Sequence, residues 1–153
     1  MPVILFVCTA NRSRSPIAAA CFRRELASHG MLDGWRVFSA GTWTTDGLPP
    51  AADAIASARR LGLDLSDHVS KVITPASIQA ADVIVVMEQG QKEAILSEYP
   101  AAGGKVHLLS EVATGASYEV PDPISPVSAA EIHAEIADLV KKGFHRIRAL
   151  AGA

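Results

Sequence analysis

The sequence predicts an α/β protein of three layers, in which a parallel sheet carries helices on both faces. Two short, strongly apolar segments, residues 3–7 and 82–87, are typical of strands buried on both sides. Segments with helical spacing alternate with the strands, which favours right-handed crossovers between parallel strands. The length of 153 residues suits one domain, and we expect residues 1–153 to form a single domain.

The first half of the chain contains two predicted strands and two predicted helices. The strand at 3–7 precedes a helix at 15–28, where apolar residues recur at helical spacing until His29 and Gly30. A short strand follows at 35–39, broken by residues 40–42. A second helix covers 51–61 and stops at Gly62. Residues 63–74 show no clear period and are predicted as a loop with at most one helical turn.

The second half continues the alternation. After the strand at 82–87 we expect a helix at 89–99, stopped by Pro100, and a strand at 105–109. Residues 110–127 are predicted as a long loop, a kind of segment that is often functional in a compact domain. The last helix is predicted at 128–150, with Ser128 as N-cap and Glu131 completing a capping box.

The composition excludes several classes of function. With 49% hydrophobic residues and a net charge of −2, the chain lacks the basic excess that nucleic-acid binding requires. Its first apolar run is too short for a signal peptide or a membrane span. The two cysteines, Cys8 and Cys21, make neither a disulfide framework nor a zinc site. We therefore expect a cytoplasmic protein without a nucleic-acid or membrane partner.

The connection between the first strand and the first helix is the strongest functional signal. It opens with Cys8 and reaches Arg14 six residues later, and Pro16 suits the first turn of a helix. Such a loop directs backbone N–H groups and the positive end of a helix dipole at one spot, which suits a tetrahedral dianion. Cys8 at its edge would be held as a thiolate, a nucleophile for phosphoryl transfer. The alternative is a core cysteine at a strand end.

A second candidate lies in the predicted loop at 110–127. Asp122 stands between Pro121 and Pro123, which restrict the backbone on each side. Cleavage of a phosphate ester by a thiolate requires a proton for the leaving oxygen, and a carboxylic acid can supply it. Ligands of parallel sheets bind at the carboxyl ends of the strands, where both Cys8 and this loop are predicted. Asp122 is thus the preferred general acid, and a plain turn is the alternative.

These segments resemble the low-molecular-weight protein tyrosine phosphatases over nearly the whole chain. The matching segments are residues 7–16, Ser39-Ala40-Gly41-Thr42, Leu63-Asp64-Leu65-Ser66 with His68, Ala81-Asp82 leading to Met87, and Val120-Pro121-Asp122-Pro123. The resemblance implies a four-stranded parallel sheet in the order 2-1-3-4, a phosphocysteine intermediate, and no metal or other cofactor.

The resemblance also implies a role for each matching residue. Cys8 would be the nucleophile, Arg14 would clamp the phosphoryl oxygens with two hydrogen bonds, and Asp122 would act as acid and then as base. Ser15 would donate a hydrogen bond to the thiolate. Asn11, with Ser39 and His68, would support the loop, although a surface histidine is the alternative for His68. The residues expected to bind phosphate are Thr9, Ala10, Asn11, Arg12, Ser13, Arg14 and Ser15.

Several positions depart from the family pattern and weaken phosphotyrosine as the substrate. Ala10 replaces a glycine, which adds strain if that position needs a positive φ. Arg12 replaces an apolar residue or a threonine, and Ser13 replaces a second loop cysteine. Ile124 stands where many members carry aromatic residues that flank the substrate ring. Trp43 is the candidate for that missing wall, and the substrate wall is predicted to contain Trp43 and Ile124.

Alternative functions remain open at this stage. A phosphatase of the same fold acting on phosphoarginine is the nearest one. A thiol-dependent arsenate reductase needs a series of cysteines, whereas only Cys21 accompanies Cys8. A non-catalytic phosphate-binding module would have no use for the acid Asp122. The partners we expect are a phosphorylated protein or a small phosphomonoester, and the chain is expected to be a monomer or a weak homodimer.

Overall fold

Four parallel strands form the centre of the computed structural model, which describes residues 1–152. The strands are β1 (Val3–Cys8), β2 (Arg36–Gly41), β3 (Val83–Val86) and β4 (Val106–Leu108), in the order β2-β1-β3-β4. The predicted α/β class and the strand order that the resemblance implies are both confirmed. In the register, Cys8 pairs with Gly41, so the ends of the two neighbouring strands β1 and β2 lie side by side.

Helices cover both faces of the sheet. They are α1 (Arg14–Ser28), α2 (Ala52–Leu61), α3 (Pro75–Ala80), α4 (Gln89–Glu98), α5 (Leu109–Thr114) and α6 (Pro126–Leu150), with 3-10 turns at Leu32–Gly34 and Pro100–Lys105. No helix within residues 1–152 is long and apolar enough to cross a membrane.

The alternation of side chains along β1 divides the core into two layers. Ile4 and Phe6 belong to a large cluster with α1 and α6, whereas Leu5 and Val7 belong to a smaller cluster on the other face. The smaller cluster includes Ile78 of α3, Ile95 of α4 and other buried residues. Because both faces are covered, the central strands β1 and β3 are apolar along their length, which is the pattern that predicted them.

Two predicted segments differ from the structure. The predicted loop at 110–127 contains most of α5, which ends at Thr114 and is followed by Gly115 as C-cap in the left-handed conformation (φ +80°). The density of proline after Gly115 concealed this single helical stretch. Strand β2 continues through residues 40–41 to Gly41, because the backbone of Gly41 bonds to residues 71 and 73.

One helix starts earlier than predicted, and another helix was not predicted. Helix α6 begins at Pro126, with Ser125 as N-cap and Ser128 as its capping-box partner; the Ser125 hydroxyl accepts from the Ser128 N–H at 3.1 Å. Ser128 with Glu131 has the same spacing as a capping box, so the sequence offered two starts three residues apart. Helix α3 was missed, although Thr74 caps it and Pro75 occupies its first turn.

Candidate active site

The three residues predicted to carry chemistry line one small pocket. Cys8 ends β1, Arg14 begins α1, and Asp122 lies in the segment 115–125 that leads into α6. The pocket has a volume of about 160 Å³ and lies at the carboxyl ends of the strands. Its lining residues are Cys8, Ala10, Arg12, Ser13, Arg14, Ala51, Asp53, Asp122 and Pro123.

The backbone of the 8–14 loop is oriented by bonds to its carbonyl groups. Four carbonyl oxygens accept hydrogen bonds from outside the loop: Cys8 from the Thr42 N–H (3.0 Å), Thr9 from the Trp43 N–H (3.0 Å), Asn11 from His68 Nε2 (2.8 Å) and Arg12 from the Ala51 N–H (2.8 Å). In a trans peptide the next N–H is antiparallel to the carbonyl, so the following amides point the opposite way. Amide groups oriented away from these four carbonyl partners are suited to binding an oxyanion.

A short chain of hydrogen bonds reaches the Cys8 sulfur. The Ser15 hydroxyl accepts a bond from Asn11 Nδ2 at 2.7 Å and lies 3.0 Å from Cys8 Sγ. The Ser15 hydroxyl proton has two acceptors within reach, Cys8 Sγ at 3.0 Å and the Ala40 carbonyl at 3.5 Å, and the sulfur is the nearer one. A donor at this place stabilises a thiolate relative to a thiol. The geometry agrees with the role that the resemblance implies for Ser15.

Asn11 holds the loop in its conformation. Its φ is +56°, a left-handed conformation that asparagine tolerates better than most residues. Its amide donates to Ser39 Oγ at 3.0 Å and accepts from the Lys71 N–H at 2.9 Å. Ala10 is not in the positive-φ region, so the strain considered for that position does not arise.

His68 supports the same residue from the other side. Its Nε2 lies 2.8 Å from the Asn11 carbonyl oxygen, which can only accept. Burial is the main cause that lowers the pKa of His68, although its bond to Asn11 acts in the opposite direction. A neutral His68 with its proton on Nε2 fits this arrangement. The predicted support group of Asn11, Ser39 and His68 is therefore brought together.

Arg14 is almost fully buried and is held from behind. Its Nη1 donates to a carboxylate oxygen of Glu88 and, at 2.8 Å, to the Val120 carbonyl. Its Nε is buried without a hydrogen-bond partner and lies 3.7 Å from Asp122 Oδ1. The fork of the guanidinium is thus oriented while Nε stays free for a ligand oxygen.

Sequence reasoning missed the residues around the end of β3. Glu88 pairs with Arg14, and Gln91 accepts from the N–H groups of Met87 and Glu88 at 2.9 Å while donating to Thr9 Oγ1 at 3.2 Å. The Val120 N–H donates to the Met87 carbonyl at 2.9 Å. These bonds tie the loop that carries Asp122 to the sheet. The sequence offered no local signal for these contacts, because the burial of Gln91 becomes visible only in the fold.

The remaining predicted residues lie at or beyond the rim. Arg12 lines the pocket and its Nε donates to the Pro49 carbonyl at 2.8 Å. Trp43 and Ile124 are 84% and 95% exposed and are not among the lining residues, so their role as a substrate wall stays a prediction. Asp53, which the sequence did not suggest, lines the pocket with one carboxylate oxygen buried and unpartnered.

Comparison with known proteins gives consistent matches over the whole chain. The family described as low molecular weight phosphotyrosine protein phosphatase matches residues 3–150. A probable low molecular weight protein-tyrosine-phosphatase, EpsP of Ralstonia nicotianae, is 34% identical, covering 96% of this chain and 97% of its own length. A protein-arginine-phosphatase of Geobacillus stearothermophilus is 32% identical over 78% of this chain and 77% of its own.

Solved structures agree with this result. A YwlE mutant from Bacillus subtilis superposes with a TM-score of 0.89 at 28% identity, covering 97% of this chain and 99% of that one. The tyrosine phosphatase Wzb from Escherichia coli K30, in complex with sulphate, gives a TM-score of 0.84 at 29% identity, covering 95% and 97% of the two chains.

Proposed function

The chain belongs to the low molecular weight phosphotyrosine protein phosphatase family, and from this premise we propose that it hydrolyses phosphomonoesters of the protein phosphotyrosine type through a phosphocysteine intermediate. The observation that carries the proposal is the placement of Cys8, Arg14 and Asp122 around one pocket of about 160 Å³. The three groups are a nucleophile, a phosphate clamp and a proton donor, the set that such a reaction requires.

The first half of the reaction transfers the phosphoryl group to sulfur. The Cys8 thiolate attacks phosphorus and forms the S–P bond while the bond to the leaving oxygen breaks. Asp122 gives its proton to that oxygen. Arg14 and the inward N–H groups of the 8–14 loop stabilise the charge on the three remaining oxygens.

The second half returns the enzyme to its starting state. Asp122, now a carboxylate, takes a proton from water, and the water oxygen attacks phosphorus. The S–P bond breaks, inorganic phosphate leaves, and the sulfur becomes a thiolate again, held by the Ser15 hydroxyl at 3.0 Å. No step of this sequence requires a metal ion.

Hydrolysis of p-nitrophenyl phosphate in the presence of a chelator tests the proposal. We expect turnover by the parent chain and a loss of at least about a thousandfold in Cys8→Ser, whose alcohol is not ionised at neutral pH. Arg14→Lys should also fail, because a point charge cannot form the two-pronged contact. Cys8→Ser should still bind phosphate. Parent-like turnover in Cys8→Ser would remove Cys8 from the mechanism.

The same assay separates the alternative classes. A phosphate-binding module would bind phosphate without turnover. An arsenate reductase would depend on a second reactive thiol, but burial raises the pKa of Cys21 to about 11 and leaves it protonated. Turnover of p-nitrophenyl phosphate that survives in Cys21→Ala would show that this hydrolysis needs no second cysteine.

Phosphoarginine is the second candidate substrate, because the pocket contains carboxylates as well as guanidinium groups. Asp53 and Asp122 suit a cationic leaving group, whereas Arg12 at the rim repels it and favours acidic flanks. Arg12→Ile should raise turnover of phosphoarginine relative to phosphotyrosine peptides, and Asp53→Asn should lower it. Unchanged ratios in both variants would show that neither side chain faces the leaving group.

A further inference from the structure

Ser13 occupies the N-cap position of α1 without capping it. A serine at this position commonly accepts a hydrogen bond from an N–H of the first helical turn. Here its side chain makes no such bond, and its hydroxyl lies 2.6 Å from His133 Nε2 instead. Pro16 has no N–H to offer, so the Ser15 N–H is the remaining donor that Ser13 could cap. The Ser13 side chain does not accept from that N–H.

His133 connects this hydroxyl to a second helix. It lies on α6, is 0% exposed, and its Nδ1 is 2.6 Å from Ser57 Oγ on α2. Ser57 is also buried, and its hydroxyl accepts from Arg60 Nη2 at 2.9 Å. We call Ser13, His133, Ser57 and Arg60 the histidine chain. None of its members except Ser13 lines the pocket.

One assignment of protons satisfies the contacts of the histidine chain. Arg60 can only donate, so Ser57 Oγ accepts from it, and we assign the proton of Ser57 to Nδ1 of His133. The neutral imidazole then carries its proton on Nε2 and donates it to Ser13 Oγ. The proton of the Ser13 hydroxyl is therefore not used within the chain and is available to the pocket.

The surroundings of His133 keep the imidazole neutral. Burial is the main cause that lowers its pKa. Arg60 and Arg14 act in the same direction, whereas Asp53 and Asp122 oppose them. A protonated ring would require Ser57 to accept from two cations, which the neighbouring guanidinium of Arg60 disfavours.

We propose that His133 is a positioning residue that holds the Ser13 hydroxyl as a hydrogen-bond donor to the anion in the pocket and prevents it from capping α1. The proposal rests on the proposed function, in that the anion is the phosphoryl group of the substrate or the inorganic phosphate product. His133 touches neither; it acts through Ser13. Ser13, which replaces the second loop cysteine of the family pattern, thereby has a role as a hydrogen-bond donor.

Two substitutions of His133 separate the two ends of its ring. A glutamine amide reaches about as far as Nε2 and can still donate to Ser13, whereas an asparagine amide reaches only the place of Nδ1. In a Cys8→Ser background, titration calorimetry with inorganic phosphate should give a dissociation constant about tenfold weaker for His133→Asn, the effect of one lost hydrogen bond to a charged group. His133→Gln should stay within about threefold of its background, and His107→Asn serves as the matched histidine control outside the chain.

A double-mutant cycle asks whether the effect passes through Ser13. In a Ser13→Ala background, His133→Asn should cause no further loss of phosphate affinity. An equal loss in both backgrounds, or parent-like affinity in His133→Asn, would overturn the inference. These measurements need no turnover. Absence of hydrolysis by the parent chain would therefore refute the proposed function and leave the inference standing on phosphate binding.

A spectroscopic test does not depend on the folding of the His133 variants. Nitrogen-15 spectra of the parent protein at neutral pH should show His133 protonated on Nε2 and unprotonated on Nδ1. Ser57→Ala removes the hydrogen-bond donor to Nδ1, so the preference for the Nε2-protonated ring should weaken and phosphate affinity should fall with it. A parent protein protonated on Nδ1 would overturn the inference.

Discussion

At the scale of single residues, Asp122 owes its position to its loop. Its side chain is 75% exposed at the mouth of the pocket, and Arg14 Nε lies 3.7 Å from its carboxylate. The Val120 backbone, two residues earlier, bonds to both Arg14 and Met87. The position of Asp122 is thus set through its backbone, while its carboxyl group stays exposed at the mouth of the pocket.

The acid role predicts a dependence on the leaving group. Asp122→Asn should slow the hydrolysis of phenyl phosphate about tenfold more than the hydrolysis of p-nitrophenyl phosphate. The phenyl oxygen is more basic and therefore depends more on a proton donor. The measurement is kcat for both substrates. Asp138→Asn, which removes a surface carboxylate paired with Lys142, is the control and should change neither. Equal losses on both substrates in Asp122→Asn would indicate a positional role.

Cys8 also has a predictable response to peroxide. The neighbouring position where a cysteine could form a rescuing disulfide holds Ser13, which has no sulfur. Cys21 is buried, and burial raises its pKa to about 11. Cys8 contacts Ser15, and Cys21 lies six residues further along α1, which corresponds to a helix rise of about 9 Å. A disulfide requires a much closer approach of the two backbones. Oxidation should therefore proceed past sulfenic acid, with poor recovery on adding dithiothreitol.

Ser13→Cys should improve that recovery, and Cys21→Ala should leave it unchanged. Activity after peroxide and reductant, with mass spectrometry of the intact chain, measures both. Full recovery of the parent enzyme together with a Cys8–Cys21 disulfide would contradict this expectation.

At the scale of elements, the end of β2 sets the shape of the loop at 8–14. A Cβ atom at Gly41 would overlap the Thr9 carbonyl oxygen, so a glycine is required for the close approach of β2 to the loop. Gly41→Ala must displace the backbone that carries the inward N–H groups. We expect a loss of about tenfold or more in kcat/KM, since small misplacements of catalytic groups are costly.

Gly90→Ala is the matched control for this change. Gly90 lies in α4, and nothing is within 4 Å of the place of its Cβ. It should keep full activity and gain up to about 1 kcal/mol of stability from helix propensity. Unaltered kcat/KM in Gly41→Ala would show that the loop tolerates the shift.

The elements also show what a single sequence can and cannot predict. Strands β1 and β3 and the site residues Cys8, Arg14 and Asp122 follow from local patterns, because buried strands and loop–helix junctions have short-range signatures. Glu88 and His133 could not be found in this way. Their partners, Arg14 and Ser13, lie 74 and 120 residues away in the sequence. A polar residue on an apolar helix face indicates burial but not its partner.

At the scale of the whole molecule, three histidines couple folding to pH. Burial is the main cause that lowers the pKa of His68, His107 and His133 in the folded protein. In the unfolded chain each has a pKa near 6.5. Between the folded and unfolded values the unfolded chain binds more protons, so the free energy of unfolding rises with pH in that window and falls as pH decreases. Asp64, whose pKa is lowered from 3.8, acts in the same direction only at more acidic pH.

We therefore expect the urea midpoint of unfolding to fall steadily as the pH is lowered from 7.5 to 5. His107→Gln removes one of the three groups and lies outside the pocket and the histidine chain, so its midpoint should depend less steeply on pH than that of the parent. Both proteins are measured by circular dichroism in the same buffers at constant ionic strength. A midpoint that stays constant or rises as the pH is lowered from 7 to 5.5 would contradict the prediction. Such a result would mean that the histidines bind protons as readily in the folded chain as in the unfolded chain.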